Sequence, residues 1–121
     1  MKQKVHSVSY LAKAEFEFKK GVYDLVALPC GAEVVKVSLE VVGSPVAGAG
    51  SVSVGFKDET NKNYFLTSDK LTSEKYATSA RDYTATSNKV VVAEVKGANE
   101  TDVKGVLRVL YFLPSVIEVE Y

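Results

Sequence analysis

The chain has 121 residues, of which 46% are hydrophobic and 25% charged, which is the composition of a globular domain and not of a disordered segment. Its 15 basic and 15 acidic residues cancel to a formal net charge of zero. Nucleic-acid binders carry a basic excess, because neutralising phosphates supplies much of their affinity. No nucleic-acid partner is therefore expected. The single cysteine excludes an internal disulfide and a cysteine-rich zinc site.

The N-terminal stretch "MKQKVHSVSY" lacks the apolar core of a signal peptide. The longest apolar stretch, residues 106–117, is shorter than a membrane span and is interrupted by Arg108 and Pro114. We therefore expect a protein that is made in the cytoplasm of its host and has no membrane partner.

Apolar and polar residues alternate from the N-terminal part onward. The stretch "AEFEF" sets Phe16 and Phe18 against Glu15 and Glu17, a period of two that is typical of a strand with one buried face. Residues 1–20 are predicted to contain an N-terminal strand or arm. The following "VYDLVAL" is more continuously apolar and is predicted either to be buried on both faces or to be central in a sandwich.

Residues 28–43, "LPCGAEVVKVSLEVVG", begin with a turn and continue as a long strand. Pro29 cannot donate to a strand ladder, and Gly31 accepts backbone angles that a side chain resists. These two residues predict a corner between two strands. The strand after the corner is predicted over Ala32 to Val42, with Val35, Val37, Leu39 and Val41 facing inward and Lys36, Ser38 and Glu40 facing outward.

The rest of the chain continues this pattern. "SVSVGF" predicts a strand with Val52, Val54 and Phe56 inward, and "KDETNKN" predicts a solvated hairpin tip. "KVVVAEV" and "VKGVLRVLYF" are likewise predicted either to be buried on both faces or to be central in a sandwich. The alternating "VIEVEY" predicts a C-terminal edge strand within residues 115–121.

Residues 67–89 fit two structures. Tyr76, Ala80 and Tyr83 lie at helical spacing, which suits a short helix. The many serines and threonines favour a long loop with one or two edge strands, and we prefer this second interpretation.

About eight or nine short strands separated by turn residues predict an all-β fold. We expect a single-domain antiparallel β-sandwich over residues 1–121, and the strand number favours a jelly-roll-like arrangement.

Groups able to carry out chemistry are scarce. A nucleophilic cysteine needs a base, and the only candidate pair is Cys30 with the single histidine, His6. Because small buried thiols are common, Cys30 is interpreted as structural. We therefore expect no catalytic residues and no enzyme.

Two sets of acidic residues are candidates for a site. Oxygen ligands for calcium occur in "KDETNKN", namely Asp58, Glu59, Asn61 and Asn63, but without the spacing of a dedicated calcium loop. The carboxylate pairs Glu15/Glu17 and Glu118/Glu120 are spaced as on the solvent face of a strand and not across a catalytic cleft. Neither a metal nor a cofactor is predicted.

Tyrosine is abundant, and two roles suit it. Five residues could either line a sugar-binding face or form a protein interface: Tyr64, Tyr76, Tyr83, Tyr111 and Tyr121. The interface is favoured, because the chain has no tryptophan and tyrosine is enriched at protein interfaces.

Three segments in this order carry a resemblance to a known group of proteins: "LPCGAEVVKVSLEVVG", "GSVSVGFKDETNKNYFLTS" and "GANETDVKGVLRVLYF". The series, over roughly Val22 to Phe112, resembles small β-sandwich structural proteins of tailed bacteriophages, including capsid decoration (cement) and head-fibre proteins.

The resemblance implies a non-enzymatic virion protein on the capsid surface that binds the major capsid protein, bridges its subunits and forms a homotrimer. The "YFL" and "VLYFLP" segments are predicted interfaces, with Tyr64, Phe65, Leu66, Tyr111 and Phe112 as contact residues. The segments outside the match, 1–21 and 115–121, are expected to pair with neighbouring chains by strand addition. The alternative is a carbohydrate- or receptor-binding β-sandwich module of a fibre or tail.

Overall fold

The computed structural model describes residues 2–43, 50–69, 75–114 and 116–120, with the backbone alone for 98–101 and 116–120. These residues form nine strands: β1 (Lys2–His6), β2 (Ser9–Leu28), β3 (Glu33–Val42), β4 (Ser51–Phe56), β5 (Leu66–Ser68), β6 (Tyr76–Ser79), β7 (Tyr83–Thr84), β8 (Lys89–Phe112) and β9 (Val116–Glu120). The all-β prediction and the predicted strand number are confirmed.

The strand β8, 24 residues long, organises the sheet. It runs antiparallel to the 20-residue β2 along nearly its whole length. The first part of β8 also pairs with β4, and its last part also pairs with β3. Beyond these, β5 pairs with β4, and β6 and β7 pair with β3. Each long strand therefore belongs to two parts of one folded sheet.

The sheet folds over on itself near the middle of the two long strands. The register of β2 with β8 shifts between Glu17 and Lys19 and again between Lys19 and Gly21. Across this bulged stretch the Tyr23 hydroxyl donates to the Lys19 carbonyl at 2.7 Å. Bulges bend a strand and increase its twist. Because the β2–β8 pair bends here, its two ends face each other and enclose one core. The result is the predicted antiparallel, jelly-roll-like β-sandwich, closed almost into a barrel.

Residues from both parts of the folded sheet form one buried cluster. The largest fully buried side chains include Phe18, Leu28, Leu39 and Leu107. Phe16 and Phe18 are buried as their alternation with glutamates predicted, and so are Val52, Val54 and Phe56 of β4. Period-two patterning thus located the core correctly in these strands.

The prediction of burial on both faces holds for one long strand and is wrong for the other. In β8 the consecutive residues Val91, Val92 and Ala93 are all fully buried. In β2 burial alternates over "VYDLVAL", and Val22 is 45% exposed. The second face of β8 is buried because the 57–63 loop folds over β4 and β8. The loop lies so close to β4 that a Cβ on Gly55 would be 2.6 Å from the backbone of Asn63.

The corner predicted at Pro29 and Gly31 is confirmed. Gly31 has φ of 90°, and a Cβ there would lie 2.7 Å from Cβ of Pro114. Its N–H donates to the Ala85 carbonyl at 2.7 Å, and the Ala32 N–H donates to the Pro29 carbonyl at 3.1 Å. The glycine is therefore required both by its backbone angle and by the closeness of Pro114.

The long strand after the corner is confirmed except at one residue. Val37, Leu39 and Val41 are buried as predicted, whereas Val35 is 44% exposed and Val34 is buried in its place. The register between β3 and β8 shifts between Val34 and Lys36. This bulge inserts one residue and reverses the phase of the alternation before it.

The described part of residues 67–89 contains strands and turns. β6 and β7 lie along β3, as expected from the preferred loop-and-strand interpretation, and Tyr76 is 72% exposed. The helical alternative is wrong for residues 75–89, and residues 70–74 lie outside the described part. The backbone hydrogen bonds offered by β3 favour the extended pairing over a helix.

The two ends of the chain form a separate two-stranded ribbon. β1 pairs antiparallel with β9, with Lys2 opposite Glu120 and His6 opposite Val116. The Leu113 N–H donates to the Val8 carbonyl at 2.8 Å, which links this ribbon to the β2–β8 ladder. The expected N-terminal arm and C-terminal edge strand thus pair with each other in the isolated chain.

Candidate interaction surfaces

The "YFL" segment contributes an aromatic cluster at one end of the sandwich. The Phe56 ring lies 5.2 Å from the rings of Tyr64 and Phe65 and 4.5 Å from that of Tyr83. Phe65 is 6% exposed, whereas Tyr64 and Leu66 are half-buried. Most of this segment therefore packs within the chain, and Tyr64 and Leu66 retain surface that a partner could contact.

An arginine covers the outer side of this cluster. The Arg81 guanidinium carbon lies 3.9 Å from the centre of the Tyr64 ring, and its Nη1 donates to the Tyr64 carbonyl at 3.2 Å. The Tyr64 hydroxyl donates to the Asp82 carbonyl at 3.0 Å. Stacking of this kind holds the tyrosine in one orientation. The sequence did not reveal it, because residues 64 and 81 belong to different turns.

The second predicted interface segment lies at the end of β8. Tyr111 is 9% exposed and meets the half-exposed Tyr10 edge-on, with ring centres 5.9 Å apart. Phe112 is half-buried. An interface role for all five predicted residues remains a prediction, and it falls mainly on Tyr64, Leu66 and Phe112, because Phe65 and Tyr111 offer little surface.

The tyrosines do not assemble into a flat sugar-binding face in the described residues. Tyr64 and Tyr83 pack edge-on, with ring centres 5.4 Å apart, and Tyr76 lies on another strand, where its hydroxyl donates to Glu40 at 3.4 Å. Tyr121 lies outside the described residues. One face of the Tyr64 ring is covered by Arg81, and the exposed Tyr76 lies on a different strand from Tyr64 and Tyr83.

Cys30 and His6 are each hydrogen-bonded to another part of the chain, Cys30 through its backbone N–H and His6 through its ring. Cys30 is exposed, and its backbone N–H donates to Oδ1 of Asn88 at 2.9 Å. Nδ1 of His6 lies 3.1 Å from the Leu113 carbonyl, which fixes the ring beside the root of the ribbon. The buried thiol assumed in the sequence interpretation is wrong, since the turn presents Cys30 to solvent.

The "KDETNKN" loop is the solvated hairpin tip between β4 and β5 that the sequence predicts, and the Glu59 carboxylate holds its backbone in place. Oε1 of Glu59 accepts from the Phe56 N–H at 2.8 Å and from the Tyr64 N–H at 3.3 Å. Nζ of Lys62 donates to the Glu59 carbonyl at 2.9 Å. The signal that the sequence offers for this arrangement is a glutamate three residues after the end of a strand.

Asp58 in the same loop is paired with the first residue of β8. Nζ of Lys89 lies 2.5 Å from Oδ2 of Asp58. The hydrogen bond from Lys89 lowers the pKa of Asp58, and the same bond raises the pKa of Lys89. With Asp58 bound to Lys89 and Glu59 bound to backbone, the two acidic calcium candidates are engaged with protein groups. Among the described residues no group of three His, Cys, Asp or Glu is placed to hold a metal.

The carboxylate pair Glu15/Glu17 lies on the exposed face of β2, as predicted. Glu17 forms a surface ion pair with Lys19 at 3.2 Å. Of Glu118 and Glu120, the structure gives the backbone pairing in β9.

The outer face of β3 and β8 carries a groove that the sequence did not predict. It has a volume of about 310 Å³ and is lined by Leu11, Leu110, Lys36, Ser38 and Arg108. Beside it, Nη1 of Arg108 lies 3.0 Å from Oε1 of Glu40. Leu11 is 63% exposed. Three strands that are distant in sequence form this groove, so no local pattern could indicate it.

Free strand edges are the other feature that suits contact with a partner. Within the described residues, β2 pairs with β8 alone, and β1 and β9 pair with each other alone. Unpaired edges offer backbone donors and acceptors to another chain. Charged residues and bulges along β2 oppose uncontrolled pairing there. No helix that could cross a membrane is found in the described residues.

Comparison with known proteins gives three informative structural relatives. No family model and no curated protein matches the chain. A chain from the acidic stable capsid structure of Helicobacter pylori bacteriophage KHP30 is 77% identical, with both chains covered over 100% of their length and a TM-score of 0.93.

Two more distant structures share the fold. A chain of the cyanophage Pam1 capsid asymmetric unit is 18% identical, with 88% of this chain and 85% of that chain covered and a TM-score of 0.67. A chain of the capsid of Ralstonia phage GP4 is 16% identical, with 92% and 88% covered and a TM-score of 0.68. The relatives are proteins of bacteriophage capsids. The chain belongs to the family represented by the KHP30 capsid chain, which confirms the resemblance to bacteriophage structural proteins.

Proposed function

We propose that the protein is a non-enzymatic capsid decoration (cement) protein that binds the outside of a bacteriophage shell and bridges its major capsid subunits as a homotrimer. The observation that carries this proposal is the 77% identity over the full length of a chain from the KHP30 capsid structure. A zero formal net charge favours contacts with protein over contacts with nucleic acid.

The surface of the chain suits this role. A bridging protein needs more than one contact surface, and the described residues offer the groove beside Arg108, the exposed ring of Tyr76 and the free edges of β1, β2 and β9. Each contact can be weak, because many copies that bridge neighbouring subunits add their stabilisation to the assembled shell.

The alternative, a carbohydrate- or receptor-binding module, has less support. The tyrosines closest together, Tyr64 and Tyr83, pack against each other and against Phe56. These two rings are therefore partly covered within the fold, and the exposed Tyr76 lies apart from them on β6.

Co-sedimentation with shells assembled from the major capsid protein of the same phage tests the proposal. We expect saturable binding at a fixed ratio to the capsid subunits and an increase in the temperature at which the shells open. A lack of binding to shells, together with binding in a glycan screen, would replace this proposal with the alternative.

A further inference from the structure

The β1–β9 ribbon lacks a supporting layer in the isolated chain. Its two strands of five residues each pair only with each other among the described residues. Lys2, Gln3, Lys4 and Val5 are all exposed. Two-stranded ribbons are at best marginally stable in water, and additional strands or an apolar contact are needed to hold them.

The pairing separates the ribbon into a mainly apolar row, which also contains Gln3, and a row of lysine–glutamate pairs that ends with His6 opposite Val116. Val5 is opposite Ile117, and Gln3 is opposite Val119. The alternate pairs join lysines to glutamates, Lys2 with Glu120 and Lys4 with Glu118. Because facing residues of an antiparallel pair share a face, the ribbon is amphipathic. An amphipathic sheet needs a partner for its apolar face, and Val5 is 37% exposed.

The two free edges of the ribbon have opposite charge. β1 contains two lysines and no acidic residue, and β9 contains two glutamates and no basic residue. Contact of β1 with another β1, or of β9 with another β9, would bring like charges together. Contact of β1 in one copy with β9 in the next brings opposite charges together. Such head-to-tail contacts form a closed ring when the rotation between copies closes.

We propose that the β1–β9 ribbons of three copies close into a six-stranded antiparallel barrel around a threefold axis, with the apolar rows inside. This inference rests on the homotrimer of the proposed function and identifies its interface. Strand directions alternate around a ring of three two-stranded ribbons, so every junction is antiparallel. Closure removes both free edges of each ribbon.

The mass of the protein in solution, measured by light scattering on a sizing column, tests this interface. We expect a trimer for the unmodified protein and a threefold lower mass for Val5→Asp, because a carboxylate inside the barrel would lack a partner. Val22→Asp is the matched control, since Val22 is 45% exposed and lies on β2 outside the ribbon. It should remain trimeric. Circular dichroism shows whether each variant is folded.

A second measurement needs no variant. Hydrogen exchange of the unmodified protein should show protected amides in β1, since every backbone N–H of this strand has a partner inside a closed barrel. A trimer with rapidly exchanging β1 amides, or a trimeric Val5→Asp protein, would overturn the interface and leave the homotrimer standing. A monomeric unmodified protein would overturn the barrel, and its binding to shells would still be decided by co-sedimentation.

Discussion

Gly105 lies in the middle of β8, where it pairs with Phe16 of β2 on one side and with Val41 of β3 on the other. The Phe16 ring occupies the space above it, so that a Cβ at this position would overlap three atoms of the ring. Phe16 in turn stacks on Phe18 with ring centres 5.8 Å apart. The absence of a side chain at residue 105 therefore allows an aromatic ring to lie against the backbone of the sheet.

We expect Gly105→Ala to lower the free energy of unfolding by about 1–3 kcal/mol, because the added methyl group overpacks the core. Phe16→Leu removes the atoms that it would strike. The double variant should therefore be less destabilised than the sum of the two single variants. Urea unfolding measures all three proteins, and strict additivity would show that the two residues do not interact as described.

Glu59 is the residue that sequence patterns undervalued most. It belongs to a polar turn, yet its Oε1 accepts from the Phe56 and Tyr64 N–H groups, at 2.8 and 3.3 Å. The loop it organises lies against Gly55, which pairs with the fully buried Val92 of β8.

Glu59→Ala should reduce the free energy of unfolding by about 1–3 kcal/mol, since two backbone donors lose their acceptor. Glu59→Gln keeps an oxygen at the same place and should cost clearly less. The comparison uses urea unfolding of both variants. Equal losses for alanine and glutamine would mean that the hydrogen bonds contribute little to stability.

At the residue scale, the sequence predicted burial correctly wherever alternation was unbroken, as in Val52, Val54 and Phe56. It misplaced Val35, because a bulge shifts the phase of the alternation and leaves no mark in composition. It also misplaced Cys30, whose burial was inferred from residue type and not from the turn that exposes it.

Among the elements, the two long strands determine the architecture. β2 and β8 each extend through both parts of the folded sheet, and the bulges between Glu17 and Gly21 lie where the pair bends. The sequence predicted the strands that flank them, but it could not predict that β8 is continuous over 24 residues. The polar stretch "KGANETD" has the composition of a turn. It is nevertheless part of the strand, because the residues of β8 before and after it pair with β2.

The link between the β4–β5 loop and β8 makes one prediction about pH. The hydrogen bond with Lys89 lowers the pKa of Asp58 and raises that of Lys89, so the pair stabilises the folded state most between the ordinary pKa values of the two groups, about 3.9 and about 10.4. This stabilisation is lost as the pH falls through the lowered pKa of Asp58, and also as the pH rises through the raised pKa of Lys89.

Asp58→Asn should therefore destabilise the protein slightly at neutral pH and not at strongly acid or strongly alkaline pH. The measurement is the difference in unfolding free energy between the unmodified protein and the variant over a pH series. Lys89→Met is the matched control, because it removes the other half of the pair. A difference that stayed constant across the series would contradict this account of the pair.

For the whole molecule, the order of three sequence segments was enough to indicate the class of protein by resemblance. The sandwich and the membership of a phage capsid family are confirmed. The surfaces could not be predicted in the same way, because the groove beside Arg108 and the β1–β9 ribbon join residues from distant parts of the chain. Core residues repeat locally in the sequence, whereas interface residues come together only in the fold.

Attachment to the outside of the shell is the central claim, and electron cryomicroscopy of shells prepared with and without the protein tests it most directly. We predict added density on the outer surface, over the joints between major capsid subunits, with three copies around each threefold position. Shells that show no added density, or density only on the inner surface or at a tail or fibre, would contradict the account.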